Sequence, residues 1–215
     1  MQRMRLEFSR GEEAKFASHL DLMRGWHRAL RRAGLPLAYS KGFNPRPRLS
    51  LAAPLPVGVT SSAELMDIYL KRRVSSLIFL KGLNAQCPPS LVVRAAEDVP
   101  LSIPSLQSLV RAADYTVRGP SQVSAERIRQ AIRQLLAARA IRWEHKRDTG
   151  ARQYDLRPLV QELALEEWGP EAFTLTMRLR MDGQGTGRPD QVMAALDLEG
   201  AYTSIHRTRI ILAHP

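Results

Sequence analysis

The chain has 215 residues, 32 of them Lys or Arg against 21 Asp or Glu, for a formal charge of +11. Its 44% hydrophobic content suits a protein with a buried core, and its length fits one large domain or two small ones. Cys87 is the only cysteine, which excludes an intrachain disulfide and any iron–sulfur cluster ligated by several thiolates of this chain, so no cofactor is expected.

Residues 3–8 alternate and predict a first strand, so the opening segment reads as folded chain rather than as a signal peptide. No apolar run approaches the ~20 residues of a membrane span. A cytoplasmic protein without membrane association is the expectation. Ser18 is a helix cap answered by Asp21, and the helix that follows runs to about Ala33. Leu22, Met23, Trp26, Ala29, Leu30 and Ala33 recur at helical spacing on one side, with Arg24, Arg28 and Arg31 on the other; Gly34 is placed to end the helix. Residues 37–41 and 48–52 read as short strands joined by Gly42-Phe-Asn-Pro-Arg-Pro47, whose prolines fix φ and hold Asn44 and Arg46 extended. Glu64–Leu70 predicts a strand, Val74–Leu83 a weaker helix and Leu91–Ala95 a strand.

Residues 99–113, with Pro100 and Pro104, read as a linker, with a short helix at 105–111 as an option. The same order of elements then restarts. Tyr115–Arg118 is a strand and Ala125–Arg139 a helix capped by Ser124. Ile141–Lys146 is a strand, Thr149-Gly150 a turn, and Gln153–Leu156 a strand or extended arm. Phe173–Met181 alternates cleanly, Pro189 opens a short helix through Leu196, and Tyr202–Leu212 is the last strand. The expectation is an α+β protein of two ferredoxin-like βαββαβ halves, 1–98 and 114–215, with a basic groove between them. Paired halves of this kind resemble the RAMP-type CRISPR RNA endonucleases in architecture, an analogy that leans towards RNA.

The densest functional signal is electrostatic. Between Asp21 and Glu64 there is no acidic residue, while Arg24, Arg28, Arg31, Arg32, Lys41, Arg46 and Arg48 supply positive charge on one helix face and one proline-stiffened loop. A field of one sign attracts polyanions, and guanidinium groups pair bidentately with phosphate. Phe43 and Asn44 at the loop tip join the candidate nucleic-acid site. Tyr39 and Phe43 interleave with the charges; a place in the core is the expectation for both, with base stacking as the alternative.

Phe16-Ala-Ser-His-Leu-Asp-Leu-Met-Arg24, the run Arg31–Ser50, Leu55-Pro-Val-Gly-Val59 and Glu64-Leu-Met-Asp67 resemble a bacterial radical-SAM-associated family of unknown function, found fused after a radical SAM protein or as its companion. Asp155-Leu-Arg-Pro158, Arg188-Pro189 and Arg207-Thr208 match more loosely, and Leu77–Ser90 departs from the pattern. The resemblance implies a companion with no established activity and supplies no catalytic residue. The favoured reading is an RNA-binding accessory that holds tRNA or rRNA for a radical SAM partner.

The alternatives are a metal-independent RNA endonuclease using His19 beside Asp21, and a protein-only adaptor for an acidic partner. His27, His145, His206 and His214 have no metal-binding spacing. Arg157 and Arg188, each before a proline and read as extended, join Arg207 and Arg209 on one face of the last strand as second-half candidates, with pairing to a carboxylate such as Asp155 as their other role. Asp182–Arg188 is a Gly-rich loop whose N–H groups are candidates for a phosphate, though it lacks the Lys-Ser/Thr of a P-loop. Asp67 is expected to orient an arginine of the basic cluster.

Overall fold

The structure, a computed structural model, describes residues 1–147 and 150–213, with backbone only for 145–147 and 150–152. The turn expected at Thr149, the His145 side chain and His214 lie outside the described residues. The fold is mixed α+β, with few helices and mostly antiparallel sheet, and no described helix is long and apolar enough to cross a membrane. It divides into two units, Met1–Val110 with the C-terminal end from Leu212, and Arg111–Ile211.

The first unit runs β1 (Gln2–Arg10), α1 (His19–Arg32), β2 (Leu49–Leu51), β3 (Val59–Leu70), α2 (Ser76–Asn84), β4 (Leu91–Val99) and the short α3 (Leu106–Leu109). Its strands lie in the order β4-β1-β3-β2, each pair antiparallel. The apolar faces of β1 and β3 meet the helices: Met4, Leu6 and Phe8 join Met66, Ile68 and Leu70, and Trp26, Leu30, Phe79 and Leu83 close over them. Trp26 is fully buried and meets Phe8 edge-on, with ring centroids 4.8 Å apart. Its indole Nε1 has no hydrogen-bond partner, so the ring is held by volume and apolar area.

Three arginines of β1 are structural, Arg3 and Arg10 buried and Arg5 half-buried. Arg10 is 2% exposed and donates from Nε to Ala14 O at 2.9 Å and from Nη2 to Ala17 O at 2.7 Å, satisfying carbonyls in the turn that leads into α1. On the opposite sheet face Arg5 grips Asp67, its partner in the β1–β3 register, through Nε at 2.8 Å and Nη2 at 3.1 Å. Arg3 Nε lies 3.6 Å from the same carboxylate, while its Nη1 donates to Ile103 O. Asp67 therefore orients β1 rather than the basic cluster, because the β1–β3 register sets Arg5 opposite it and Arg3 reaches it from two residues along the strand.

The second unit runs β5 (Val110–Pro120), α4 (Ala125–Ala137), β6 (Arg142–Arg147), β7 (Gly150–Asp155), β8 (Val160–Trp168), β9 (Ala172–Asp182), β10 (Gly185–Thr186), α5 (Pro189–Ala195) and β11 (Ser204–Leu212). The sheet order is β10-β9-β5-β11, with β8 also on β9. The pair β6–β7 forms a separate two-stranded hairpin, so the strands expected at 141–146 and 153–156 are not those of the main sheet. The strand that fills that place is β8, which the sequence conceals. Register shifts between Val160 and Glu162 and between Leu165 and Glu167 break its alternation, and Gln-Glu-Leu-Ala-Leu-Glu-Glu has helix-forming composition. The expected linker 99–113 is also shorter, because α3 and the start of β5 occupy residues 106–113.

Gly119 sits where β5 passes beneath two neighbours. A Cβ there would stand 2.1 Å from Ala201 O and 2.7 Å from the Phe173 ring. Backbone cannot yield as a side-chain tip does, so Gly119→Ala is expected to destabilise the protein by about 3 kcal/mol, the upper end of overpacking. Urea unfolding checks this; a loss under about 1 kcal/mol would contradict the close approach.

Candidate nucleic-acid interface

Helix α1 orients the first part of the site. Ser18 caps it, accepting from Asp21 N at 3.2 Å and donating its hydroxyl to Asp21 Oδ2 at 2.7 Å, and Gly34 ends it at φ +65°. With Leu22, Trp26, Ala29 and Leu30 buried, Arg24, Arg28, Arg31 and Arg32 are forced outward and are exposed. Arg24 reaches Asp21 at 3.4 Å across largely exposed side chains, a contact of small worth. Among the described residues, Arg28, Arg31, Arg32, Lys41, Arg46 and Arg48 make no ion pair.

The loop supplies the second part. It is a hairpin closed by a Tyr39–Pro47 bridge and by Ser40 N to Arg46 O at 2.9 Å and Arg48 N to Ala38 O at 2.8 Å; the strand expected at 48–52 is β2, whereas 37–41 holds isolated bridges in place of the strand expected there. Ser40 Oγ accepts from Arg46 N at 3.0 Å, and Gly42 takes φ +126°, which few residues other than glycine adopt. Residues 41–46 are all exposed. The core position expected for Tyr39 and Phe43 is overturned: Tyr39 is 39% exposed and Phe43 106%, because the hairpin turns its tip away from the sheet. The Arg48 guanidinium lies over the Tyr69 ring, 4.4 Å from its centroid, which pins that charge to β3.

Helix face and hairpin share one field. His27, on α1, has its pKa lowered first by burial and then by the charges of Arg46 from the hairpin and Arg31 from the helix. The sequence reading missed a further contribution. Lys71, Arg72 and Arg73 are exposed directly after β3. Lys71 N donates to Pro36 O at 2.7 Å, and its Nζ stands 5.7 Å from the Tyr39 ring, at the base of the hairpin. Three consecutive basic residues ending a strand that borders the loop were the signal for it.

His19 is exposed at the first residue of α1, and its neighbour Asp21 is occupied by Ser18 and Arg24. Burial pushes the Cys87 thiol up to about 11, so it is protonated at neutral pH. Among the described residues no three metal-ligating side chains cluster.

The second-half arginines are engaged within their own unit. Arg157 lies in a 3-10 turn rather than extended, and its guanidinium donates to Leu136 O at 3.1 and 3.0 Å and to Val160 O at 2.8 Å. Arg207 is 0% exposed and therefore leaves the nucleic-acid set; β11 does not present it beside Arg209, which is exposed. Arg209 binds Asp114 through two nitrogens at 3.0 and 2.8 Å, with Arg178 on the same carboxylate. Burial favours the neutral acid, but hydrogen bonds and charges from Arg178 and Arg209 outweigh it and hold Asp114 below its ordinary value. The carboxylate partner is thus Asp114 and not Asp155, which caps Ile141 N and Arg157 N instead. Arg188 pairs with Asp190 at 3.0 Å.

The Gly-rich segment is the β9–β10 turn. Asp182 Oδ1 accepts from Gln184 N at 2.8 Å and Gly185 N at 3.3 Å, so the amides a phosphate would use already hold a carboxylate. A cavity of about 670 Å³ beside it is lined by Tyr154, Arg180, Asp182, Arg188 and Gln191, whose polar groups are paired by Arg180–Asp182, Arg188–Asp190 and Tyr154–Gln191 contacts.

No functionally curated protein matches the chain. Among solved structures, a chain of a Cbf5–Nop10–Gar1 complex is similar over 97% of this chain at 10% identity and a TM-score of 0.53. A chain of an H/ACA RNP bound to a substrate RNA containing 2'-deoxyuridine aligns over 97% at 12% identity and a TM-score of 0.47. A protein from Galdieria sulphuraria aligns over 99% of both chains at 14% identity and a TM-score of 0.26. The chain covers 48% and 47% of the first two, about half their length, and the first likeness speaks to the α+β fold alone. Residues 3–189 match the model of a family described as an uncharacterized protein conserved in bacteria (DUF2344), and the chain belongs to that family.

Proposed function

We propose that this chain is an RNA-binding accessory protein that holds or orients RNA, such as tRNA or rRNA, for a radical SAM partner enzyme. One observation carries the RNA part: the acid-free run folds into a helix face and a closed hairpin whose cations are exposed and, apart from Arg24, unpaired by carboxylates. The sequence resemblance supplies the partner, and a chain with one cysteine leaves cluster chemistry to it. The strand order β4-β1-β3-β2 and the matching order β11-β5-β9-β8 support reading each unit as a ferredoxin-like half, the second carrying β6–β7 as an insertion.

Binding through phosphate contacts weakens with salt, with a slope in log Kd of about 0.7 per neutralised phosphate on single strands. Lys41→Ala, Arg46→Ala and Arg28→Ala are each expected to lower that slope by about 0.7 and to weaken binding across sequences alike. Fluorescence anisotropy over a salt series measures both; a Kd indifferent to salt would sink the phosphate model. For the partner, the chain is expected to tighten RNA binding by a radical SAM enzyme that it accompanies. Equal RNA affinity with and without the chain would argue against an accessory role.

His27 reports the same site by pH. Its depressed pKa means the unfolded chain binds the proton better, so its contribution to stability is present above the ordinary value of 6.5 and is lost as pH falls from there through the lowered folded value. Phosphate beside Arg31 and Arg46 screens their charge from His27, so RNA is expected to raise this pKa. By linkage, affinity then rises as pH falls. Ring-proton NMR titrations with and without RNA check this; an unchanged His27 pKa would place the phosphates elsewhere.

A further inference from the structure

Phe43 does nothing for the fold. At 106% exposure it is as open to water as an isolated residue, at the tip of a hairpin held by backbone bonds, Gly42 and two prolines. A side chain of this size is ordinarily worth burying. Its neighbours on the hairpin, Lys41, Arg46 and Arg48, are cations, and no acid lies between residues 22 and 63. An occupant that covers the ring must therefore offer a flat apolar surface and negative charge together, which a nucleotide does.

We infer that Phe43 stacks on an unpaired base, so that the basic face selects single-stranded or looped RNA over duplex. This rests on the RNA reading above and adds its substrate class. Bases inside a duplex already stack on each other and present only edges in the grooves, whereas an unpaired base offers a free face to an aromatic ring. A duplex satisfies the arginines of α1 through its phosphates but leaves Phe43 in water. Closure of the hairpin before binding keeps the ordering cost of the stack small.

The test compares a labelled single-stranded RNA with the same strand annealed to its complement, using the full-length protein and the variants Phe43→Ala, Phe43→Leu and Phe43→Trp. Phe43 touches no core residue, so all three are expected to fold. Phe43→Ala should weaken single-strand binding by about 5- to 150-fold, the range of one lost base stack, and leave duplex binding unchanged. Phe43→Trp should retain the preference, and Phe43→Leu, apolar but without a π-face, should lose it. Equal losses on both RNAs, or no loss on either, overturns the stacking inference while salt-dependent RNA binding keeps the broader reading. Sensitivity to Phe43 only in binding the radical SAM protein overturns it in favour of a protein pocket. Failure of the wild-type protein to bind either RNA overturns both readings.

Discussion

The burial of Trp26 against Phe8 fixes the rotation of α1, and the site follows from that rotation. An α-helix advances 100° per residue, so once Trp26, Leu22 and Leu30 face the sheet, Arg24, Arg28 and Arg31 have no inward position available. Arg10 fixes the other degree of freedom. By holding the carbonyls of Ala14 and Ala17 it sets where the helix begins, and thus which turn of α1 reaches the hairpin. A guanidinium with good hydrogen bonds to main-chain carbonyls is one of the few charged groups that a core accommodates.

The hairpin is positioned by different physics. Its backbone bonds to itself, and Arg48 stacks on Tyr69 of β3, so its charges are displayed before any ligand arrives. Placing like charges together costs free energy that a fold does not recover internally. That cost is visible at His27, whose neutral form is favoured partly because Arg31 and Arg46 stand near it. For five arginines of the second unit the opposite arrangement holds. Arg178, Arg180, Arg188 and Arg209 each meet a carboxylate, and Arg157 meets carbonyls, so these five charges are spent on cohesion.

What the sequence revealed depended on how local the cause was. The N-cap at Ser18, the glycine at position 34 and the apolar stripe of α1 involve neighbours within a few turns, and they are where periodicity places them. Phe173–Met181 alternated because β9 is regular and buried on one face. β8 was hidden because two bulges destroy the period that announces a strand. The roles of Arg157 and Arg207 were hidden because an arginine bound to distant carbonyls or sunk in a core reads the same as one on the surface. Phe43 was misplaced by treating an aromatic residue as core. Its position between Gly42 and Asn44-Pro45 is a turn tip, and turn tips project.

The central claim is that α1 and the 39–48 hairpin form one polyanion-binding face. Amide chemical-shift mapping with a short single-stranded RNA tests it most directly. Perturbations are expected on the Arg24–Arg32 face, on residues 40–48 and on Lys71–Arg73, all weakening together as salt rises. Perturbations confined to the second unit, or spread without pattern over the surface, would contradict it.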